Sequence, residues 1–411
     1  MVQRRPRMDK KNRPEQLQLL MPEERISDRA SPAAVADAFD PARLTQARQL
    51  AGMTKKELAK AVGVTPAAIG QYETGTSGIR PLLVPRLAEI LNVPMAFFLA
   101  GRPHGKLDAS MAHFRSLRSA RSYQRAKAIS FVEQVWELTY ALERRVQLPA
   151  VDLPGFSGGE VDSGTMLPRD PAEAARALRQ YWGLGSGPIA HLVRHLESRG
   201  IVVVMAPRDP DSTTVDAFST SRLPRPLIVL TANRADDIYR HRFTTAHELG
   251  HLVLHGDVAS GDPYQEREAD AFAAEFLTPR QSIAPQLPMR VDFAKLVQLQ
   301  VLWGVSVKSL LRRCRELGLI SESSGTRAYQ KLNLFADQPG FRAEPVSHYV
   351  GEQPIMLSRA FDLASRTRLT VPELSAELAW PVARVRELLG MENSRPNLRL
   401  IISPDEELAY G

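Results

Sequence analysis

Cysteine is almost absent from this chain: Cys314 stands alone in 411 residues. No internal disulfide can form, and a reducing compartment is expected. No stretch approaches the roughly 18 consecutive apolar residues of a membrane span. The N-terminus is basic and polar with no apolar run behind it, so it does not read as a secretory leader. Internal repeats and long low-complexity tracts are also missing from the sequence. Together these absences argue against a membrane protein, a disulfide-stapled secreted module and a solenoid, and point to the cytoplasm. What is present is ordinary for globular domains, with 44% hydrophobic and 24% charged residues. The length predicts two or three domains. The formal net charge is +7, and it is clustered. Residues 1–16 are rich in Arg and Lys, and residues 102–127 carry seven basic groups against Asp108. Such clusters fit an acidic partner such as nucleic acid, and equally a tail and a solvated helix face.

Composition shifts divide the chain. Residues 1–40 are polar and without periodicity, which predicts a basic disordered arm. Residues 41–101 show short helices with tight turns, and 102–150 a basic helical connector. Residues 151–290 combine helices with short β runs at Ile201–Met205, Thr213–Phe218 and Leu227–Leu230. Residues 291–411 read as helical. The fold class expected is α+β, mostly α.

Within 41–101, Thr54 is suited to cap a helix with Glu57 at its third position. Leu58, Ala59 and Val62 form its inner stripe, and Gly63 ends it. Thr65 and Pro66 start a second helix, on which Ile69 and Tyr72 face inward. Ala67, Gly70 and Gln71 then face outward, where a helix-turn-helix meets the major groove of double-stranded DNA. Gln71 can read an adenine edge, while Thr54, Lys55, Thr65 and Pro66 fall where phosphate contacts are made. The stretches KKELAKAVGV, TPAAIGQYETG and PLLVPRLAEILNVPMAFFLAG resemble the Xre, or lambda-repressor-like, helix-turn-helix family. That resemblance implies a five-helix DNA-binding domain reaching two half-sites as a homodimer.

The segment RHRFTTAHELGHLVLHGD contains HExxH. His247 and His251, four apart on a helix, share one face and can share an ion, and Glu248 can act as base. A catalytic zinc needs a third ligand. On the following helix, Glu266 lies at the edge of the buried stripe, and Glu268 lies with Glu275 on the polar side. Glu266 is therefore the expected ligand, with Glu268 in reserve. Asp270 can orient a ligand histidine, or be a plain surface acid. His255 and Tyr264 are candidates for stabilising an oxyanion, or structural.

HRFTTAHELGHLVLH followed by EREADAFAAEFLTP resembles the ImmA/IrrE metallopeptidase family. The resemblance implies a minimal zincin domain with a small β-sheet, with His247, His251 and Glu266 as zinc ligands and Glu248 as catalytic base. It further implies cleavage of a protein substrate of the repressor or antitoxin type. The alternative is a transcription factor whose metal domain senses without cutting. His191 and His195 read as helix surface and Cys314 as core. Residues 369–390 lack a glycine turn and read as a packing or dimerisation element rather than a second helix-turn-helix.

Overall fold

The computed structural model describes residues 31–99, 101, 122–156, 167–207, 217–221, 223–232, 235–256, 262–335, 341 and 344–391. Residues 1–30, most of the first basic arm, and 102–121 of the second lie outside the described residues.

Five α-helices open the described residues: α1 (Pro32–Asp37), α2 (Pro41–Leu50), α3 (Lys55–Val62), α4 (Pro66–Thr74) and α5 (Val84–Ile90). Helix α1 departs from the expected disordered arm, which spans residues 1–40. Ser31 caps α1, Pro32 fits its first turn, and Val35 is buried in the domain core, a single apolar anchor too short for periodicity to reveal. The turn between α3 and α4 follows local chemistry. Thr54 and Glu57 form a reciprocal capping box, Gly63 is left-handed at φ 75°, and Thr65 caps α4.

Helix α6 (Ser122–Glu143) follows. It is not a solvated connector, since most of its residues from Ile129 to Leu142 are buried. One face meets α2 through buried polar groups. Arg43 pairs with Glu137, Gln46 donates to Glu133 and Glu137 at 3.2 Å, and Ser130 donates to Gln49 at 2.7 Å.

Helices α7 (Pro171–Tyr181) and α8 (Leu192–Ser198) lead into strands β1 (Val202–Ala206), β2 (Ala217–Thr220) and β3 (Leu227–Thr231). The strand order is β1-β3-β2, with β1 parallel and β2 antiparallel to β3. Alternation sends Val202, Val204, Leu227 and Val229 into a core shared with α6, and Val203, Ile228 and Leu230 into a second core. With both faces covered, the strands read as continuous Val/Ile/Leu runs.

The second core is built on α9 (Ile238–Leu254), α10 (Pro263–Leu277), the short α11 (Arg280–Ile283), α12 (Phe293–Trp303), α13 (Val307–Glu316) and α14 (Glu322–Phe335). Trp303, Leu310, Leu311 and Cys314 are buried in it. The expected boundary at residue 290 therefore cuts through one core. The chain then crosses as a strap. Glu352 is buried, pairs with Arg242 and accepts from the backbone N–H groups of Leu192 and Val193. Glu197 is buried and accepts from Ile355 and Met356, each at 2.8 Å. Helices α15 (Met356–Ser365), α16 (Val371–Leu378) and α17 (Val382–Leu388) return the chain to α6 and the first core.

Candidate metal centre and nucleic-acid face

Asp237 caps α9 through the N–H groups of Tyr239 and Arg240, and Asp262 with Pro263 starts α10. The two helices approach closely because Gly250 faces α10. A Cβ at Gly250 would stand 3.0 Å from Phe272 Cδ1 and 3.3 Å from Ala269 Cα, so any side chain here would press on α10, and its absence lets the two helices lie this near.

That approach brings Glu266 to the histidine pair. The Nε2 atoms of His247 and His251 are 3.1 Å apart, and Glu266 Oε2 and Oε1 lie 3.2 Å and 3.4 Å from them. A tetrahedral ion with bonds of about 2.0–2.2 Å separates its donors by ~3.3–3.5 Å. The observed separations come within a few tenths of an ångström of that spacing, and two imidazole nitrogens and a carboxylate oxygen are the donor set of a catalytic zinc site. The residues present fit the ion.

Each histidine is held from behind. His247 Nδ1 donates to Asp270 Oδ1 at 3.0 Å, and Asp270 Oδ2 accepts from Arg312 at 3.1 Å. His251 Nδ1 lies 3.1 Å from His255 Nδ1, and His255 Nε2 donates to Glu268 at 2.9 Å. Both rings thereby turn Nε2 toward the same point. His255 supports a histidine here and is not turned to an oxyanion. Tyr264 is largely exposed on the first turn of α10 with Arg267 over its ring. Helical phase alone set Glu266 apart from Glu268, and the structure puts the former at the histidine pair and the latter on His255.

Burial alone would lower the His247 pKa. Hydrogen bonds to Asp270 and Glu266, with the nearby Glu248 charge, outweigh it and lift the value to about 10. Burial also raises Asp270, but His247 and Arg312 more than reverse this. The pocket is thus electronegative and prefers a cation. Glu248 is buried, and desolvation raises its carboxyl above the usual range against the opposing pull of His251, His247 and Ser219. Ser219 Oγ on β2 donates to Glu248 Oε2 at 2.7 Å. No sequence pattern marked Ser219, because its role depends on where β2 lies beside α9. A cavity of about 510 Å³ between α9, α13 and α14 includes Arg240, Phe243, Lys308, Arg312 and Tyr329 in its wall, and touches the histidine site only through Arg312.

At the other end, Thr54, Lys55, Thr65, Pro66, Ala67 and Gln71 are all exposed, and Gly70 is half-buried. Lys55 Nζ lies 3.3 Å from Glu73, which also holds Arg48 at 2.5 Å. Ile69 and Tyr72 point into the core.

Among the described residues, no helix is long and apolar enough to cross a membrane. Sixty-one residues are 33% identical to proteins of Sinorhizobium medicae and Rhizobium meliloti, each described as an uncharacterized HTH-type transcriptional regulator. The match covers 15% of this chain and 44% of each relative, so the chain spans less than half the length of these curated relatives. Residues 44–98 match the helix-turn-helix family model, and residues 196–315 match that of the IrrE N-terminal-like domain, a peptidase family. The first match ends inside the strand-free opening domain, and the second runs from α8 through α13 and encloses the whole histidine–glutamate site. The chain therefore joins a helix-turn-helix domain to an IrrE N-terminal-like peptidase-family domain.

Proposed function

We propose that this protein is a regulator that binds double-stranded DNA and also cleaves a peptide bond in a partner of the repressor or antitoxin type, with zinc as its metal. The observation that carries the peptidase reading is the convergence of His247, His251 and Glu266 with Glu248 buried beside them.

His247, His251 and Glu266 would hold the ion, and Asp270 and His255 keep the two rings in the required tautomer. The chemistry such an ion supplies when bound is polarisation of a carbonyl and acidification of water. Glu248 takes the proton of the attacking water and passes it to the leaving amine. Ser219 anchors Oε2 of Glu248, which leaves Oε1 to receive that proton. Burial strengthens Glu248 as a base by destabilising its charged form.

On the DNA side, α4 presents Ala67, Gly70 and Gln71 to the groove, while Thr54, Lys55, Thr65 and Pro66 meet phosphates. Small residues admit close approach, and Lys55 exchanges Glu73 for a phosphate. A homodimer would place two such units on half-sites about one helical turn apart.

The test combines purified full-length protein with candidate repressors in the presence of zinc. Glu248→Gln should slow cleavage by about 10²–10⁴-fold, the usual contribution of a general base, while metal binding persists. Equal cleavage by the variant would remove the assigned mechanism. Absence of cleavage, with DNA affinity that responds to zinc, would favour a sensor that does not cut. For the other half, Lys55→Glu should weaken binding to duplex DNA and flatten its salt dependence.

A further inference from the structure

The three helices that end the described chain repeat the three that begin the helix-turn-helix. Helices α3 and α16 are each eight residues long, and each opens with a reciprocal capping box, Thr54 with Glu57 and Thr370 with Glu373. Each is closed by a left-handed residue, Gly63 at φ 75° and Ala379 at φ 51°. Two residues before each cap stands another left-handed residue, Gly52 at φ 68° and Arg368 at φ 75°. The inward positions keep step. Leu58, Val62 and Ile69 correspond to Leu374, Leu378 and Val385, all buried. The helices that precede them, α2 and α15, both pack on α6.

Arg368 and Ala379 are not glycines, and a left-handed conformation is unfavourable for each. Left-handed residues end many helices; what matches the first unit is their place, one two residues before the capping threonine and one closing the eight-residue helix.

The outward chemistry also points to a polyanion. At the position of Gly70 on α4, α17 carries Arg386. Arg366 and Arg368 are exposed in the turn before α16. Three of the nearby acids are engaged within the fold: Glu373 accepts from Thr370, Glu377 meets Arg144 and Arg145, and Glu387 pairs with Arg384, while Asp362 on α15 is exposed. The counterparts of Lys55, Lys56 and Lys60 are Val371, Pro372 and Ala376, so cationic contact moves from the helix to the turn that precedes it.

We propose that α15–α17 form a second helix-turn-helix that engages double-stranded DNA through Arg366, Arg368 and Arg386. One chain then presents two DNA-binding units on α6. This rests on the reading of α2–α5 as DNA-binding, and the test separates the two.

Full-length protein is titrated against a duplex of about 40 base pairs, long enough for two sites one to two helical turns apart, over a range of salt, and footprinted on a sequence enriched by repeated selection. Arg366→Ala combined with Arg368→Asn, which tolerates the left-handed turn, should reduce the slope of log affinity against log salt by about two. Arg386→Glu should shorten the footprint at one end. The lysine pair Arg366→Lys with Arg368→Lys should retain the slope, which separates charge from folding. Added to Lys55→Glu, the arginine substitutions should abolish binding. If Lys55→Glu weakens binding while the C-terminal variants leave slope, affinity and footprint unchanged, the second unit takes no DNA and the proposal fails. A changed sedimentation state with unchanged DNA binding would overturn it equally, in favour of self-association. If Lys55→Glu has no effect while the C-terminal variants reduce the slope, the second unit binds DNA and the reading of the first unit fails; if neither has an effect, both readings fail.

Discussion

His247 and Asp270 are joined by a 3.0 Å hydrogen bond that runs from α9 to α10, and the far oxygen of the same carboxylate is fixed by Arg312 on α13. Three helices thus agree on the orientation of one ring. Asp270→Asn should therefore lower zinc affinity by about 10–100-fold, the usual effect of losing a carboxylate behind a ligand histidine. Competition with a chromogenic chelator measures it. Arg312→Ala should give a smaller loss in the same direction, because Arg312 orients Asp270 and does not face the ion. Unchanged affinity in Asp270→Asn would show that the ring is fixed by other contacts.

Metal binding should be strongly linked to protons. The His247 pKa lies near 10 in the metal-free site, so the ring is protonated across the neutral range and an incoming ion must expel that proton. Raising the pH toward 10 therefore increases affinity by about tenfold per unit, and lowering it weakens binding by the same factor. Calorimetry in buffers of different ionisation enthalpy should count about one proton released per zinc near pH 7.5.

Gly250 sets the distance between α9 and α10. Gly250→Val should clash with Phe272 and the Ala269 backbone, push α10 outward, and separate Glu266 from the histidine pair. The expected result is reduced zinc affinity together with destabilisation of about 1–3 kcal/mol, typical of overpacking. Gly250→Ala should show the same trend weakly. A Val variant with native metal affinity would rule out this role.

Glu197 makes stability depend on pH. Burial raises its carboxyl from 4.5 to about 7, against the opposing hydrogen bonds from Met356 and Ile355 and the charge of Arg194. The folded state therefore binds this proton more tightly than the unfolded state. The contribution is fully present below about pH 4.5 and is lost as pH rises through about 7. The whole effect is on the order of 3 kcal/mol. Glu197→Gln should flatten the fall in denaturation midpoint between pH 5 and pH 8, measured by urea titration at both.

Arg43 and Glu137 join the helix-turn-helix to α6 as a fully buried pair. Glu137→Ala removes the carboxylate beside the buried guanidinium, leaving it Gln46 as a neutral partner, and should cost up to about 3–5 kcal/mol, with loss of protection from exchange first at α2. Replacing both partners by apolar residues of similar volume should cost much less.

Much of this protein was legible along the chain. Capping chemistry and Gly63 located α3 and α4, and a spacing of four put His247 and His251 on one face, because both depend only on neighbours within a turn. Helical phase also distinguished Glu266 from Glu268. Tertiary structure decided what depends on distant segments. Ser219 reaches Glu248 only because β2 lies against α9, and His255 serves Glu268 only because α10 packs beside it. The burial of α6 follows from partners on both sides of it in sequence, α2 and α15–α16. The repeated helical unit is hard to read along the chain because its turns carry Arg368 and Ala379 in place of glycine. Glycine eases a left-handed turn without being required for one, and packing against α6 can impose that conformation on another residue. Local pattern fixed which helices form and which face of each is apolar; only long-range packing determined which side chains meet.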